Sequence, residues 1–259
     1  MSTAAATLDR PLATGAFRRP SLARLTAVEL RKMIDTRAGF WLQLAVVAST
    51  IVVMVIVCIV GDAKDHTLRS LFSVAVTPSS VLLPVVGVLL VTSEWSQRTS
   101  LITFALVPHR SRVLAAKVAA SVLLSLVALV LCLAIAAVGT IVTAPGVENT
   151  WTLPAGMLGQ IAVTLGTGMM GGVAFGAVLL ASAPAIVALF LLPTVTGALG
   201  SIHALEGPAR WLDSTRSLAP MTDHLMSATE WARAGTTLAL WLALPIVIGL
   251  WRIHRSEVS

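Results

Sequence analysis

The chain has 259 residues, 56% of them hydrophobic and only 12% charged, where an ordinary soluble domain carries about 25% charged residues. With a mean hydropathy of +0.89, a soluble fold would have to expose broad apolar surface, and that class is excluded. The net charge of +6 does not call for nucleic acid, because the basic residues gather in the connections between apolar runs, where lipid headgroups and an inner-side partner account for them.

Residues 1–20 are rich in Ala, Thr, Arg and Pro, contain no apolar run and read as a mobile tail. No signal peptide is expected, since the first apolar run begins near Phe40 behind a long basic leader. Ser21 is placed to cap a helix over 21–37. In it Arg24, Arg31 and Asp35 form a polar stripe, and Ala23, Ala27, Leu30 and Ile34 an apolar one, which is the pattern of an interfacial helix.

Six apolar runs follow, at about 40–60, 79–94, 114–143, 157–181, 184–203 and 235–252. Barrel strands need only about 10 residues each and alternate in polarity, so these runs are predicted as spanning helices. The second is short and holds Pro84, and the stretch 67–77 either extends it or lies partly re-entrant. Only Ala181 to Pro184 separate the fourth run from the fifth, enough for a tight hairpin. In the long connection 204–234, the segments Pro208 to Leu212 and Ala228 to Ala234 are predicted as short outer helices that carry Trp211 and Trp231 at headgroup depth. The expected fold is an all-α integral membrane protein, with residues 21–259 forming one six-span domain.

Orientation follows from the Lys and Arg distribution. With both termini inside, 13 of the 18 basic residues lie on the inner side: seven in the leader, four from Arg98 to Lys117, and Arg252 and Arg255. Acidic residues divide the other way, five inside and seven outside.

No Gly-x-x-x-x-Gly-Lys-Ser/Thr phosphate loop occurs, and the chain has three lysines, Lys32, Lys64 and Lys117, so ATP hydrolysis is not expected on this chain. The five histidines lack metal-ligand spacing, and Ser201 and His203, two apart on a helix, point to different faces. No catalytic, metal or cofactor residues are expected. Nor is any Asp, Glu, Lys or Arg expected deep in a span, which argues against ion-coupled transport. Gly168, Gly172 and Gly176 form a small-residue stripe, suited to helix packing within the chain or to a dimer interface. Gln160, Thr164, Thr167, Thr194 and Thr196 either line a pathway or satisfy themselves on their own helix backbone, as Ser and Thr commonly do.

The connection from Glu94 to Lys117 is basic and too polar to cross a bilayer. A helix from about Trp95 to Val107 projects Leu101, Phe104 and Ala105 on one side, an anchor set suited to a groove, and Pro108 stops it. Glu94 is spaced to pair with Arg98, while Arg110 and Arg112 can meet acidic groups or lipid phosphate. The plainer alternative is a positive-inside connection that only fixes topology.

The order Glu94, Arg98, Thr99, then Pro108, Arg110, Arg112, then Lys117 at the mouth of the third span resembles the permease subunits of the ABC type-2 transporter family. Glu29, Leu30, Arg31, Lys32 and Arg37 look like the family's interfacial helix, although Arg98-Thr99 stands where the common form has Gly-Thr. The resemblance implies the membrane subunit of an ATP-driven exporter in the cell membrane. It would pair with a second, identical or homologous permease subunit above two cytosolic ATP-binding subunits, with the segment after the second span as the coupling helix. A non-transporting membrane scaffold or self-protection (immunity) protein is the rival reading.

Overall fold

The computed structural model describes residues 20–62, 65–96, 110–144, 149–203 and 206–255. Its first helix, α1 (Leu22–Asp35), starts where the Ser21 hydroxyl accepts the Arg24 N–H at 3.2 Å. It ends at Thr36, whose extended backbone donates back to the Lys32 carbonyl while its hydroxyl accepts from the Gly39 N–H at 3.2 Å. Thr36 therefore closes α1 and opens α2 (Arg37–Val60). The elbow is tight: a Cβ on Gly39 would overlap the Met33 carbonyl and lie 2.7 Å from the Thr36 hydroxyl.

Four more long helices follow, α3 (Leu68–Ser96), α4 (Arg110–Thr143), α5 (Ala155–Leu179) and α6 (Ser182–Leu199). The α5–α6 turn needs only Leu180 and Ala181, because Leu180 takes a left-handed conformation (φ 55°) and donates to the Gly176 carbonyl. Three short helices, α7 (Glu206–Leu212), α8 (Ser214–Leu218) and α9 (Pro220–Asp223), lead into α10 (Ala228–Leu238). From α10 the chain runs through a wider π turn, Ala239–Ala243, into α11 (Leu244–Arg255). That turn sits just ahead of Pro245, which has no N–H for the carbonyl of Trp241, so the regular ladder is interrupted there.

Six helices are long and apolar enough to cross a membrane: α2, α3, α4, α5, α6 and the α10–α11 unit. Side chains such as Val60, Val142 and Val130 are 81%, 71% and 64% exposed, a surface that water would not tolerate and lipid tails match. The chain is a multi-pass, all-helical membrane protein. The six runs hold, with corrected limits. The second span starts at Leu68, well before residue 79, because 67–77 continues as helix and Pro78 and Pro84 lie inside α3. Ala228 to Ala234 do not form a separate outer helix but are the first turns of the sixth span. Arg37 begins α2 rather than ending the interfacial helix, and Trp95 and Ser96 finish α3 rather than starting a new one.

Helix α3 is the centre of the bundle, with 56% of its most apolar window buried against 6% for the peripheral α6. It lies backbone to backbone on α5. A Cβ on Gly172 would overlap the Pro84 carbonyl, one on Gly87 the Met169 carbonyl, and one on Gly176 would lie 3.1 Å from the Val88 carbonyl. The stripe Gly168, Gly172 and Gly176 thus faces α3 of the same chain, and Gly87 answers it from the other side.

At the end of the bundle away from α1, polar bonds fasten the 206–227 connection to the spans. The Gln160 amide donates to the His224 carbonyl at 2.7 Å and accepts from the Met226 N–H at 3.1 Å, Ser73 donates to the Thr222 carbonyl at 2.9 Å, and Arg69 donates to the Asp223 carbonyl. Thr164, Thr167, Thr194 and Thr196 instead donate to carbonyls of their own helices.

Gly172→Ala should force α3 and α5 apart and cost roughly 1–3 kcal/mol, seen as a lower melting temperature of the purified protein. Gly159→Ala, at a site with no neighbour within 4 Å on the same helix, should leave the melting temperature unchanged or slightly higher.

Candidate functional site

Helix α1 buries Thr26, Glu29 and Met33, residues three and four apart that share one face. The two predicted stripes lie elsewhere on the helix: Arg24, Arg31 and Asp35 are exposed, and so are Ala23, Ala27 and Ile34. Three faces result, one polar, one apolar and open, and a third docked on the bundle. A buried carboxylate in the docked face requires a cation, and two are present.

Glu94 comes from the last turn of α3 and Lys117 from the third turn of α4. Lys117 Nζ donates to Glu29 Oε2 at 2.7 Å and to the Leu90 carbonyl at 2.8 Å, and lies 3.1 Å from Glu94 Oε1. These contacts use all three ammonium hydrogens. Lys32 Nζ donates to Glu29 Oε1 at 2.8 Å and to Glu94 Oε1 at 2.5 Å. Each Glu29 oxygen therefore serves a different lysine, and the two carboxylates and two ammonium groups sum to zero charge. Lys117, Glu29 and Glu94 are 3%, 4% and 6% exposed, whereas the Lys32 side chain reaches water at the edge. For Lys32, burial by itself disfavours the charged form. The hydrogen bonds and charges of Glu29 and Glu94 together outweigh it, and its pKa is held above the ordinary lysine value.

Glu94 pairs with Lys32 and Lys117, partners from other helices, while Arg98, the partner expected for it, lies outside the described residues. Glu94 and Lys117 are buried near the ends of their spans, Leu68–Trp95 and Ser111–Thr143. They are tolerated because opposite charges and a backbone carbonyl replace the water they lose.

Arg112, one turn ahead of Lys117, donates to the Pro20 carbonyl at 3.0 Å. Helix α1 is thus held at its start by Arg112, along its length by the quartet and at its end by the Thr36–Gly39 elbow. Arg31 and Arg37 point away from the cluster and are exposed. Arg110 opens α4, while Thr99, Leu101, Phe104 and Pro108 lie, like Arg98, outside the described residues. Of the residues picked out in the two basic segments, the structure brings together Glu29, Lys32, Glu94 and Lys117, and they form one cluster rather than two. The available signal was Glu29, which fits neither stripe of α1, together with the rarity of lysine in a chain whose basic residues are mostly arginine.

Chemically the cluster is a lock. Every donor on Lys117 is committed, which leaves it no free proton-transfer partner, and the arrangement fixes three helices relative to one another. Compared with protein-family models and with curated proteins, the chain has no significant match.

Lys117→Met leaves two buried carboxylates sharing Lys32 as the cation still paired with both. It should lower stability by roughly 3–5 kcal/mol, read as a drop in melting temperature. Lys117→Met combined with Glu94→Gln should recover part of that loss, since one uncompensated charge has gone. Equal destabilisation by the single and the double variant would remove the charge argument.

Proposed function

We propose that the chain is the membrane subunit of an ATP-driven transporter of the ABC type-2 kind, an exporter, that receives mechanical work from a separate cytosolic ATP-binding subunit. The observation that carries the reading is the quartet. It joins the interfacial helix to the two spans, α3 and α4, that enter and leave the 97–109 connection. A push on that connection therefore meets three helices fastened together, so it is passed along the spans instead of being absorbed at a flexible joint. The helix elbow at Thr36–Gly39 extends the same rigid unit into α2.

The chemistry of the sequence supports a division of labour. The chain lacks a phosphate loop, and its buried charges are consumed in structure, so energy must enter from outside. Two ATP-binding subunits below a pair of permease subunits, identical or homologous, supply it. Both termini and the 97–109 connection lie in the cytoplasm, with the chain in the cell membrane. That orientation puts the basic residues on the inner side. In the docked state Leu101 and Phe104 enter a groove of the ATPase, and Arg98, Arg110 and Arg112 face its acidic rim.

Two measurements test this. Replacing Leu101 and Phe104 with Asp should abolish co-purification with the ATP-binding subunit while leaving membrane insertion intact; retained co-purification would refute the coupling role. With Cys58 and Cys132 replaced by Ala, a membrane-impermeant maleimide applied to intact cells should label Ser201→Cys and spare Ser111→Cys, both exposed positions at opposite ends of the bundle. The reverse pattern would invert the topology and end the proposal.

A further inference from the structure

We infer that a half-open cavity of about 250 Å³, lined by α3, α5, α6, α8 and the α10–π segment, is a binding site for a small neutral amphiphile that carries a hydroxyl or amide N–H donor on an apolar body.

The case rests on what the walls offer. Five hydroxyl-bearing residues line the cavity, Ser80, Thr164, Thr167, Ser214 and Thr237, and of these Thr237 is fully buried in the wall. Three of the other four have already given their proton to a carbonyl: Ser80 to Thr77 at 2.8 Å, Thr164 to Gln160 at 3.0 Å and Thr167 to Val163 at 2.6 Å. What these three present inward is lone pairs. Trp241, another wall residue, has likewise spent its indole N–H on the Leu212 carbonyl at 2.7 Å.

The backbone adds to the same imbalance. Pro84 and Pro193 lie inside α3 and α6 and have no N–H, so the carbonyls of Ser80 and Leu189, four residues earlier, lose their helical donors. All four of these residues line the cavity. No side chain among the described residues donates to either carbonyl. An unmet carbonyl at membrane depth costs several kcal/mol unless it lines a cavity whose contents satisfy it. Two spans therefore break their ladders at one cavity, and a donor would complete it.

The remaining surface defines the body of the ligand. Phe175, Phe190 and Trp241 supply aromatic walls, and no ionisable side chain lines the cavity, so a charged ligand would be uncompensated. An apolar cavity of about 150 Å³ takes up benzene, and this one is larger. A medium-chain alcohol has the matching size and polarity. The site belongs to this chain alone and does not depend on the transport reading, since its test needs no ATPase.

The probe is a diazirine-bearing octanol, photolysed with the purified full chain in lipid nanodiscs and mapped by mass spectrometry. Label should concentrate on residues 164–175 and 237–242. Octanol should compete about fivefold better than octane, the worth of one net hydrogen bond. Phe190→Trp, which fills the cavity from its half-exposed edge, and Thr167→Val should each cut labelling severalfold, and Thr167→Ser should restore it. Equal competition by octane, label spread over the lipid-facing sides of α2 and α4, or full labelling of Phe190→Trp would overturn the proposal, the cavity then holding water or lipid tails alone. Because Phe190 is partly lipid-exposed, its variant keeps the test decisive even if Thr167→Val fails to fold.

Discussion

Charges taken out of water at one end of a lipid-embedded bundle can persist only if they compensate one another. Glu29, Glu94 and Lys117 are buried in this way, Lys32 adds a second cation at the water edge, and each carboxylate is in reach of both ammonium groups. Such a set adds little net stability over a well-packed apolar alternative, since desolvation consumes most of the Coulomb attraction. What it adds is register. Apolar helices slide against one another at small cost, whereas a shift of one turn here would strand a buried charge. The quartet therefore fixes how α1, α3 and α4 stand relative to each other, and the rest of the bundle is built on α3.

From that fixed end, α3 runs through the middle of the molecule against α5 with almost nothing between the backbones. Gly87 and Gly172 permit the approach, and Pro84 lies at the point of closest contact. A proline is costly in an isolated helix. Here it is bracketed by a glycine helix on one side and by a cavity on the other, so the carbonyl it leaves without a donor has somewhere to go. Packing and polarity are therefore coupled in one turn: the glycine that lets α5 close on Pro84 also brings Thr164, Thr167 and Gly168 to the cavity wall.

Much of this was legible from composition and spacing. Six apolar runs yield six spans, because a run of that length has no other stable place in the chain. The limits were less legible. Residues 67–77 hold polar Thr, Arg and Ser beside apolar residues, so hydropathy alone ends the span at 79. In the fold Arg69 and Ser73 are spent on the 222–223 carbonyls, and the helix runs on to Leu68. The quartet was half legible: all four residues were picked out, but in two separate segments. Lys117 and Glu29 are 88 positions apart, and no local pattern encodes that contact. Glu29 itself gave the clue, as a charge outside the polar stripe of an amphipathic helix. The cavity was not legible, since Thr164 and Thr167 bond their own helix as expected, and only the three-dimensional coincidence of Pro84 and Pro193 turns those ordinary bonds into an excess of acceptors.

Both polar features hang on the same helix. Glu94 and Ser80 are 14 residues apart on α3, a rise of about 21 Å, so the charge lock and the acceptor-rich cavity sit near opposite leaflets of the membrane. A rigid rod would move them together. Helix α3 is interrupted between them at Pro84, where a bend needs no regular hydrogen bond to be broken because that bond is already missing. The lock end is stiffened by three-helix pairing, and the far end is tied down through Arg69 and Ser73, which leaves the turn around Ser80 to Pro84 as the segment of α3 with the least holding it straight. A displacement of the 97–109 connection, carried by Glu94, would accordingly be expressed there, at the wall of the cavity.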